Sequence, residues 1–146
     1  MIESMRRLIQ EQRFCVLATC RDNRPHCSLM AYAASLDGAE LYLVTHADTR
    51  KFTNLQANPL VSLLIDTRGA GSAADPGRAL TLGGRLAPSP AAGDAEGIRE
   101  RFLHRHPAMA GFVQDPRARW LVIRVESLQL LEGPLDPLQN MCSHEA

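Results

Sequence analysis

Apolar residues at helical spacing mark the start of the chain. Ile2, Met5, Leu8 and Ile9 fall on one stripe of residues 2–12, and charged side chains occupy the opposite side. This pattern predicts an amphipathic helix. A helix with one apolar stripe needs a surface to cover, so we expect it to pack across an open end or face of a sheet.

Short β-prone runs, separated by turn residues, make up most of the remaining pattern. They cover residues 14–20, 26–34, 41–44, 60–65, 79–86 and 119–131, the last as one long strand or two short ones. Polar turns at residues 21–25 and 36–39 join the first three strands, and connections this short predict antiparallel pairing. The pair Gly83-Gly84 indicates a bulge or a close approach of two backbones.

Two further helices interrupt the strands. Asp48 or Thr49 can cap a helix that ends at Asn58-Pro59, and residues 94–106 form a second helical stretch that Pro107 stops. A further turn is expected at residues 108–113. After Gly133-Pro134 the tail carries little pattern, and such tails fray unless they dock on a partner. The predicted fold class is mainly β (α+β): one domain over residues 1–146, an antiparallel barrel with a few short helices at its ends.

Two adjacent cations stand out in this pattern. Arg50 and Lys51 fall in the first turn of the predicted helix, where the positive end of the helix dipole disfavours them. An anion held by free backbone N–H groups and both side chains would explain the arrangement. The alternative is a pair of solvated cations on a surface helix.

Charge and composition narrow the range of partners. The chain has 146 residues, with 16 Lys and Arg against 16 Asp and Glu, so a large nucleic-acid footprint is not expected. No apolar run approaches the roughly 20 residues of a membrane span, and the first residues lack a signal-peptide core. We therefore expect a cytoplasmic protein, not bound to a membrane, with its four cysteines reduced.

Other candidate chemistry is weaker. His26 and His46 could touch a ligand, but a solvated or hydrogen-bonded role is the expected one. His104 and His106 would share a face only in a strand, so no metal site is predicted. The glycine-rich residues 67–79 lack the Gly-Lys-Ser/Thr ending of a phosphate loop and are expected to form a mobile surface loop. No side chain is nominated as a catalytic acid, base or nucleophile.

The segment LYLVTHADTRKFTNLQANPLVSLLI resembles the flavin-binding segment of the pyridoxamine phosphate oxidase-like split-barrel family. The ordered elements are Val44-Thr45, Thr49-Arg50-Lys51, Asn54-Leu55 and Asn58-Pro59. The preceding RPHCSLMAYAASLDGAELYL resembles the second strand and hairpin of that family, and the likeness runs over about residues 14–65.

The resemblance implies a split barrel that binds FMN. It places the ring along the backbone of a strand and beside a strand end, and the phosphate at the start of the following helix. The implied cofactor-binding residues are Cys27, Ser28, Leu29, Met30, Val44, Thr45, Thr49, Arg50, Lys51 and Asn54.

The resemblance also implies a redox function and a homodimer with the flavin at the subunit interface. The expected activity is that of a flavin-dependent oxidoreductase acting on a small molecule or on an electron donor such as NAD(P)H. A true pyridoxamine phosphate oxidase is not expected, because residues 131–146 hold no counterpart of its Arg-and-His substrate motif. The alternatives are a non-catalytic flavin- or haem-binding carrier or sensor, and a structural domain. Trp120 and its neighbours are candidates for the dimer surface, with burial in the monomer as the alternative.

Overall fold

A curled antiparallel sheet forms the body of the protein. The computed structural model describes residues 1–68, 77–88, 90, 92–132 and 141–145. The strands in these ranges are β1 (Phe14–Arg21), β2 (Arg24–Ala31), β3 (Ala33–Ala34), β4 (Glu40–His46), β5 (Leu60–Asp66), β6 (Arg78–Leu86), β7 (Ala118–Glu132) and β8 (Met141–Glu145). They follow the order β2-β1-β5-β6-β7-β4-β3, every pair is antiparallel, and β8 pairs with β7.

Helices close the half-barrel and cover part of its outside. They are α1 (Glu3–Glu11), α2 (Arg50–Ala57), α3 (Ala92–Arg105), a 3₁₀ turn (Pro107–Met109) and α4 (Ala110–Gln114). Met5, Leu8 and Ile9 of the predicted apolar stripe are buried in the interior of the sheet, whereas Ile2, which precedes α1, is 37% exposed. None of the helices in the described ranges is long and apolar enough to cross a lipid bilayer.

The two faces of β7 belong to two different apolar clusters. Leu121 and Ile123 point into the interior of the half-barrel, whereas Val122 points outward into a cluster that α3 covers with Phe102. The sequence predicts these two faces, because Leu121, Ile123 and Val125 alternate with Trp120, Val122 and Arg124. The predicted fold class, a mainly antiparallel split barrel with helices at its ends, is confirmed.

The stretch 26–34 is not the single strand that the sequence predicts. β2 begins two residues earlier and stops at Ala31, and the short β3 pairs with β4 instead of β1. Tyr32 forms the corner between them. Its backbone N–H donates to Arg13 O (3.1 Å), and its hydroxyl donates to Ile9 O (2.6 Å), so α1 fixes the point at which the chain changes partner.

The end of the sheet also differs from expectation. β7 is one long strand, not the two short ones that the sequence also allowed. The backbone of β8 pairs with its second half. The sequence predicts no strand in the tail, and Met141–Glu145 forms one against β7 because backbone pairing requires no particular side chains. The predictions for Gly133-Pro134 and for most of the loop 67–79 lie outside the described residues.

Candidate functional site

Thr49 starts α2, which settles the choice between the two predicted caps. The Thr49 hydroxyl accepts the Phe52 N–H (3.3 Å) and donates to His46 O (2.9 Å). Because its single proton is used on His46 O, the hydroxyl of Thr45, 3.0 Å away, is the donor in the bond between the two threonines. The Thr49 side chain is thus committed to holding the β4–α2 connection.

Arg50 and Lys51 occupy the first turn of α2 without acidic neighbours. Arg50 is exposed and Lys51 half-buried, and neither has an ion pair or side-chain hydrogen bond within the described part of the chain. The acidic residue just before them, Asp48, pairs instead with Arg117 (3.1 Å). Backbone N–H groups in the first turn of a helix also lack intrahelical acceptors. This end of α2 is therefore strongly attractive to an anion.

Asn54 attaches α2 to the sheet. It is only 6% exposed, and its Nδ2 donates to the hydroxyl of Thr19 on β1 (3.1 Å), itself buried. On the open side, Asn54 and Arg50 line a hollow of about 310 Å³ together with His26. Two of the predicted phosphate residues therefore share a cavity. Thr49 and Lys51 do not line it.

The predicted strand contacts lie on both faces of β2. Ser28 and Met30 pair with Leu17 and Cys15 on the inner face, whereas Cys27 and Leu29 point to the outer face. β2 lies at one end of the strand order. Half of its backbone N–H and C=O groups therefore point away from β1 and have no strand partner in the described sheet.

Val44 and Thr45 are placed inside the protein. Val44 belongs to the cluster beneath α3, and Thr45 is buried next to Thr49. The Thr45 side chain therefore supports the start of α2 from within, whereas Val44 packs under α3. Of the ten predicted residues, the structure thus brings Arg50 and Asn54 to one cavity and distributes the others around it.

An apolar hollow opens on the outer face of β2, β1 and β5. Its volume is about 730 Å³, and Phe14, Val16, Leu29 and Leu64 line it beside a charged rim that includes the ion pair Arg68–Asp66 (2.9 Å). Leu29 is 75% exposed and Phe14 55%. Leu29, Val16 and Leu64 lie side by side across three strands, which makes the surface continuous.

The histidines do not form a cluster. The sequence predicts a loop at residues 46–48 after the run 41–44, but His46 is the last residue of β4. Its ring stacks on Phe112 (centroids 3.8 Å apart), and its Nε2 is buried and lacks a partner in the described structure. His106 is buried with Nε2 2.8 Å from Tyr32 O, while His104 is exposed. In the described ranges no three His, Cys, Asp or Glu side chains are grouped to hold a metal ion.

Burial shifts the pKa of two groups near the corner at Tyr32, Cys15 and His106. It raises the pKa of the Cys15 thiol to about 12, so this cysteine stays protonated and is a poor nucleophile. It lowers the pKa of His106, a shift that the neighbouring Arg105 and Arg13 reinforce and the hydrogen bond to Tyr32 opposes. Both side chains are part of the packed interior.

Trp120 lies beneath α3. Its ring meets that of Phe102 edge-on, with centroids 5.3 Å apart, and it packs against the outer cluster. Trp120 is only partly exposed, less so than Leu29 and Phe14 on the outer face of β2 and β1.

Sequence reasoning missed two arginines beside the cavity. Arg21 and Arg24 flank the β1–β2 turn and line the same hollow as Arg50. The turn Asp22-Asn23 was the available signal, because a two-residue hairpin turn places its flanking residues directly opposite each other.

The comparisons with known proteins agree with this fold. The sequence family described as pyridoxamine 5'-phosphate oxidase matches residues 1–132. None of the curated proteins matches the sequence at a significant level. A haem-binding protein from Mycobacterium smegmatis superposes with a TM-score of 0.84 at 20% identity, over 98% of this chain and 57% of that one.

Two other solved structures cover the chain and most of their own length. An FAD-binding protein from Mesorhizobium loti gives a TM-score of 0.70 at 20% identity, over 89% of this chain and 93% of that one. A haem storage protein from Vibrio cholerae gives 0.66 at 16% identity, over 86% and 90%. At these identities the likeness establishes the fold. The chain spans little more than half of the Mycobacterium protein.

Proposed function

Because the chain belongs to the pyridoxamine 5'-phosphate oxidase family, we propose that it binds FMN and acts as a flavin-dependent oxidoreductase. One observation carries the proposal: Arg50 and Lys51 stand at the start of α2 without an acidic partner in the described structure. Their charges match those of a phosphate monoester, and charge-assisted hydrogen bonds to both would hold it.

The ring of the flavin would lie along the edge strand β2. The backbone groups of residues 27–30 that point away from β1 can donate to and accept from the polar edge of a planar ring, with Ser28 and Met30 on one side of the strand. Bound FMN supplies the two-electron redox chemistry. The residues of this chain hold the phosphate, orient the ring and exclude water from it.

A second copy of the chain would cover the apolar outer face. Leu29 and Phe14 leave there more exposed apolar surface than isolated hydrophobic residues produce, and Leu29 lies on the same strand as the proposed ring site. Two copies related by a twofold axis could bury this face in both subunits. We therefore propose a homodimer with the flavin near the interface.

The substrate would be a small molecule or an electron donor such as NAD(P)H. Pyridoxamine phosphate itself is not proposed, because residues 131–146 contain no Arg-and-His substrate motif. The second candidate is a non-catalytic carrier of flavin or haem. Two structures of the same fold, from Mycobacterium smegmatis and Vibrio cholerae, are those of a haem-binding and a haem storage protein.

The colour of the purified protein separates these candidates. We expect a yellow protein whose released cofactor has the mass of FMN and whose spectrum bleaches on addition of NADH or NADPH. A bound flavin without turnover would favour the carrier. A sharp Soret band after haem addition, with no affinity for FMN, would contradict the proposal.

A further inference from the structure

The β1–β2 hairpin holds two arginines directly opposite each other. Asp22 (φ 51°) and Asn23 (φ 59°) both adopt the left-handed conformation, as in a two-residue type I′ turn, and the register pairs Arg21 with Arg24. Opposed residues of an antiparallel pair point to the same face. Both guanidinium groups therefore emerge on the side of the sheet that carries Thr19 and His26.

This arrangement is electrostatically unfavourable without a ligand. Like charges directly across a pair of strands destabilise it. Asp22 offsets part of the charge, with a carboxylate oxygen 3.6 Å from Arg21 Nε. Arg24 has no acidic partner in the described structure, and neither has Arg50. Three arginines therefore face one carboxylate at this place.

The hairpin and α2 enclose these charges from two sides. The hollow of about 310 Å³ between them is lined by Arg21, Asp22, Arg24, His26, Arg50 and Asn54. The hydrogen bond from Asn54 to Thr19 fixes the helix against β1, two residues from Arg21. The cavity is therefore built from two elements held in a fixed relation, which favours a preorganised site.

We infer that Arg21 and Arg24 complete an anion site with Arg50, and that this site takes a phosphate dianion. The inference rests on the proposed function, in which the dianion is the phosphate of FMN, and adds to it the hairpin as the second wall of the phosphate pocket. Guanidinium groups suit this role because each can donate two parallel hydrogen bonds to phosphate oxygens. A single carboxylate, Asp22, leaves the excess of positive charge that a dianion requires.

The test is phosphate-dependent stabilisation of the cofactor-free protein. Thermal melts are recorded with increasing inorganic phosphate, at ionic strength held constant with KCl, for wild type, Arg24→Ala, Arg21→Ala and Arg7→Ala. Arg7 is an exposed arginine of α1 and serves as the matched control. We expect phosphate to raise the Tm of wild type and of Arg7→Ala. Arg24→Ala should need about tenfold more phosphate for the same rise.

Without phosphate, Arg24→Ala should melt at the same or a higher temperature than wild type, because the repulsion across the hairpin is removed. Absence of a phosphate response in wild type, or an unchanged response in both hairpin variants, would overturn the inference. FMN titration separates the two ideas. If FMN affinity is the same in wild type, Arg21→Ala and Arg24→Ala, the hairpin is not part of the phosphate site, but the proposed function stands. A phosphate response that depends on Arg24, in a protein that does not bind FMN, would support the anion site and contradict the proposed function.

Discussion

Arg50 and Lys51 occupy a helix terminus where cations are disfavoured, and neither forms an ion pair in the described part of the chain. Thr49, by contrast, is fully used: its hydroxyl caps the helix and bonds to His46 O. At the scale of single residues, the candidate site thus separates into groups that build the helix start and groups left free for a ligand. Arg50 and Lys51 can therefore bind an anion without breaking the hydrogen bonds of Thr49 that start the helix.

His106 makes the stability of the folded protein depend on pH. Burial holds its pKa below the ordinary value of 6.5, so the folded protein keeps the ring neutral. The unfolded chain then binds more protons as pH falls below about 6.5, and stability falls with it. We expect the Tm of wild type to drop between pH 7.5 and 5 more than that of His106→Gln, whose amide can still donate toward Tyr32 O. Equal drops in both proteins would show that His106 does not control acid stability.

At the scale of elements, the bulge between β6 and β7, whose extra residue is Glu126 of β7, depends on a glycine of β6. The register with β7 shifts between Gly83 and Gly84, as the pair of glycines predicts. A Cβ on Gly84 would lie 2.7 Å from Arg124 O and 2.9 Å from Ile123 Cγ2. These neighbours belong to the paired strand and to the core, so neither can move freely.

Gly84→Ala should therefore destabilise the protein by about 1–3 kcal/mol, the usual cost of overpacking. Gly97 provides the matched control, because a Cβ there meets nothing within 4 Å and the residue lies within α3. Gly97→Ala should stabilise by about 0.5–1 kcal/mol through helix propensity. Chemical denaturation measures both. A neutral Gly84→Ala would mean that the bulge tolerates a side chain.

Elements with their own periodicity or turn chemistry were predictable from sequence. The stripe of α1, the cap and end of α2 and the alternation of β7 all appear where the local pattern places them. The corner at Tyr32 was not predictable, because it depends on bonds to Arg13 and Ile9, which are distant in sequence. β8 was missed for a similar reason, since its described contacts are backbone pairs with β7.

The site was predictable to a similar extent. The local mismatch between two cations and a helix dipole pointed to Arg50 and Lys51. The contribution of the hairpin required register, which brings Arg21 and Arg24 together, and packing, which brings them to α2. Neither is visible in a single segment of sequence.

At the scale of the whole molecule, the sheet has a covered side and an uncovered one. α3 shields the outside of β4 and β7, whereas the outer face of β2, β1 and β5 exposes Leu29 and Leu60 (48%). We expect light scattering at micromolar concentration to give about twice the 16.0 kDa of one chain. A wild-type protein that is monomeric with flavin bound would refute the dimer.

Leu29→Glu should shift the mass toward that of the monomer with little change in the folding of each chain, because Leu29 is mostly exposed. Leu36→Glu is the control, because Leu36 is equally exposed but lies in the turn between β3 and β4. Dissociation by both changes, or by neither, would exclude this face as the interface.

The central claim is a phosphate clamp at the start of α2, and flavin titration tests it most directly. FMN and riboflavin, which lacks the phosphate, are titrated against wild type, Arg50→Ala and Lys51→Ala. Each charge-assisted contact is worth roughly 1.5–3 kcal/mol, so FMN affinity should fall about tenfold to a hundredfold in each variant. Riboflavin should bind all three proteins equally weakly, and their Tm values without ligand should agree. Unchanged FMN affinity in both variants would contradict the account and leave Arg50 and Lys51 as solvated cations on a surface helix.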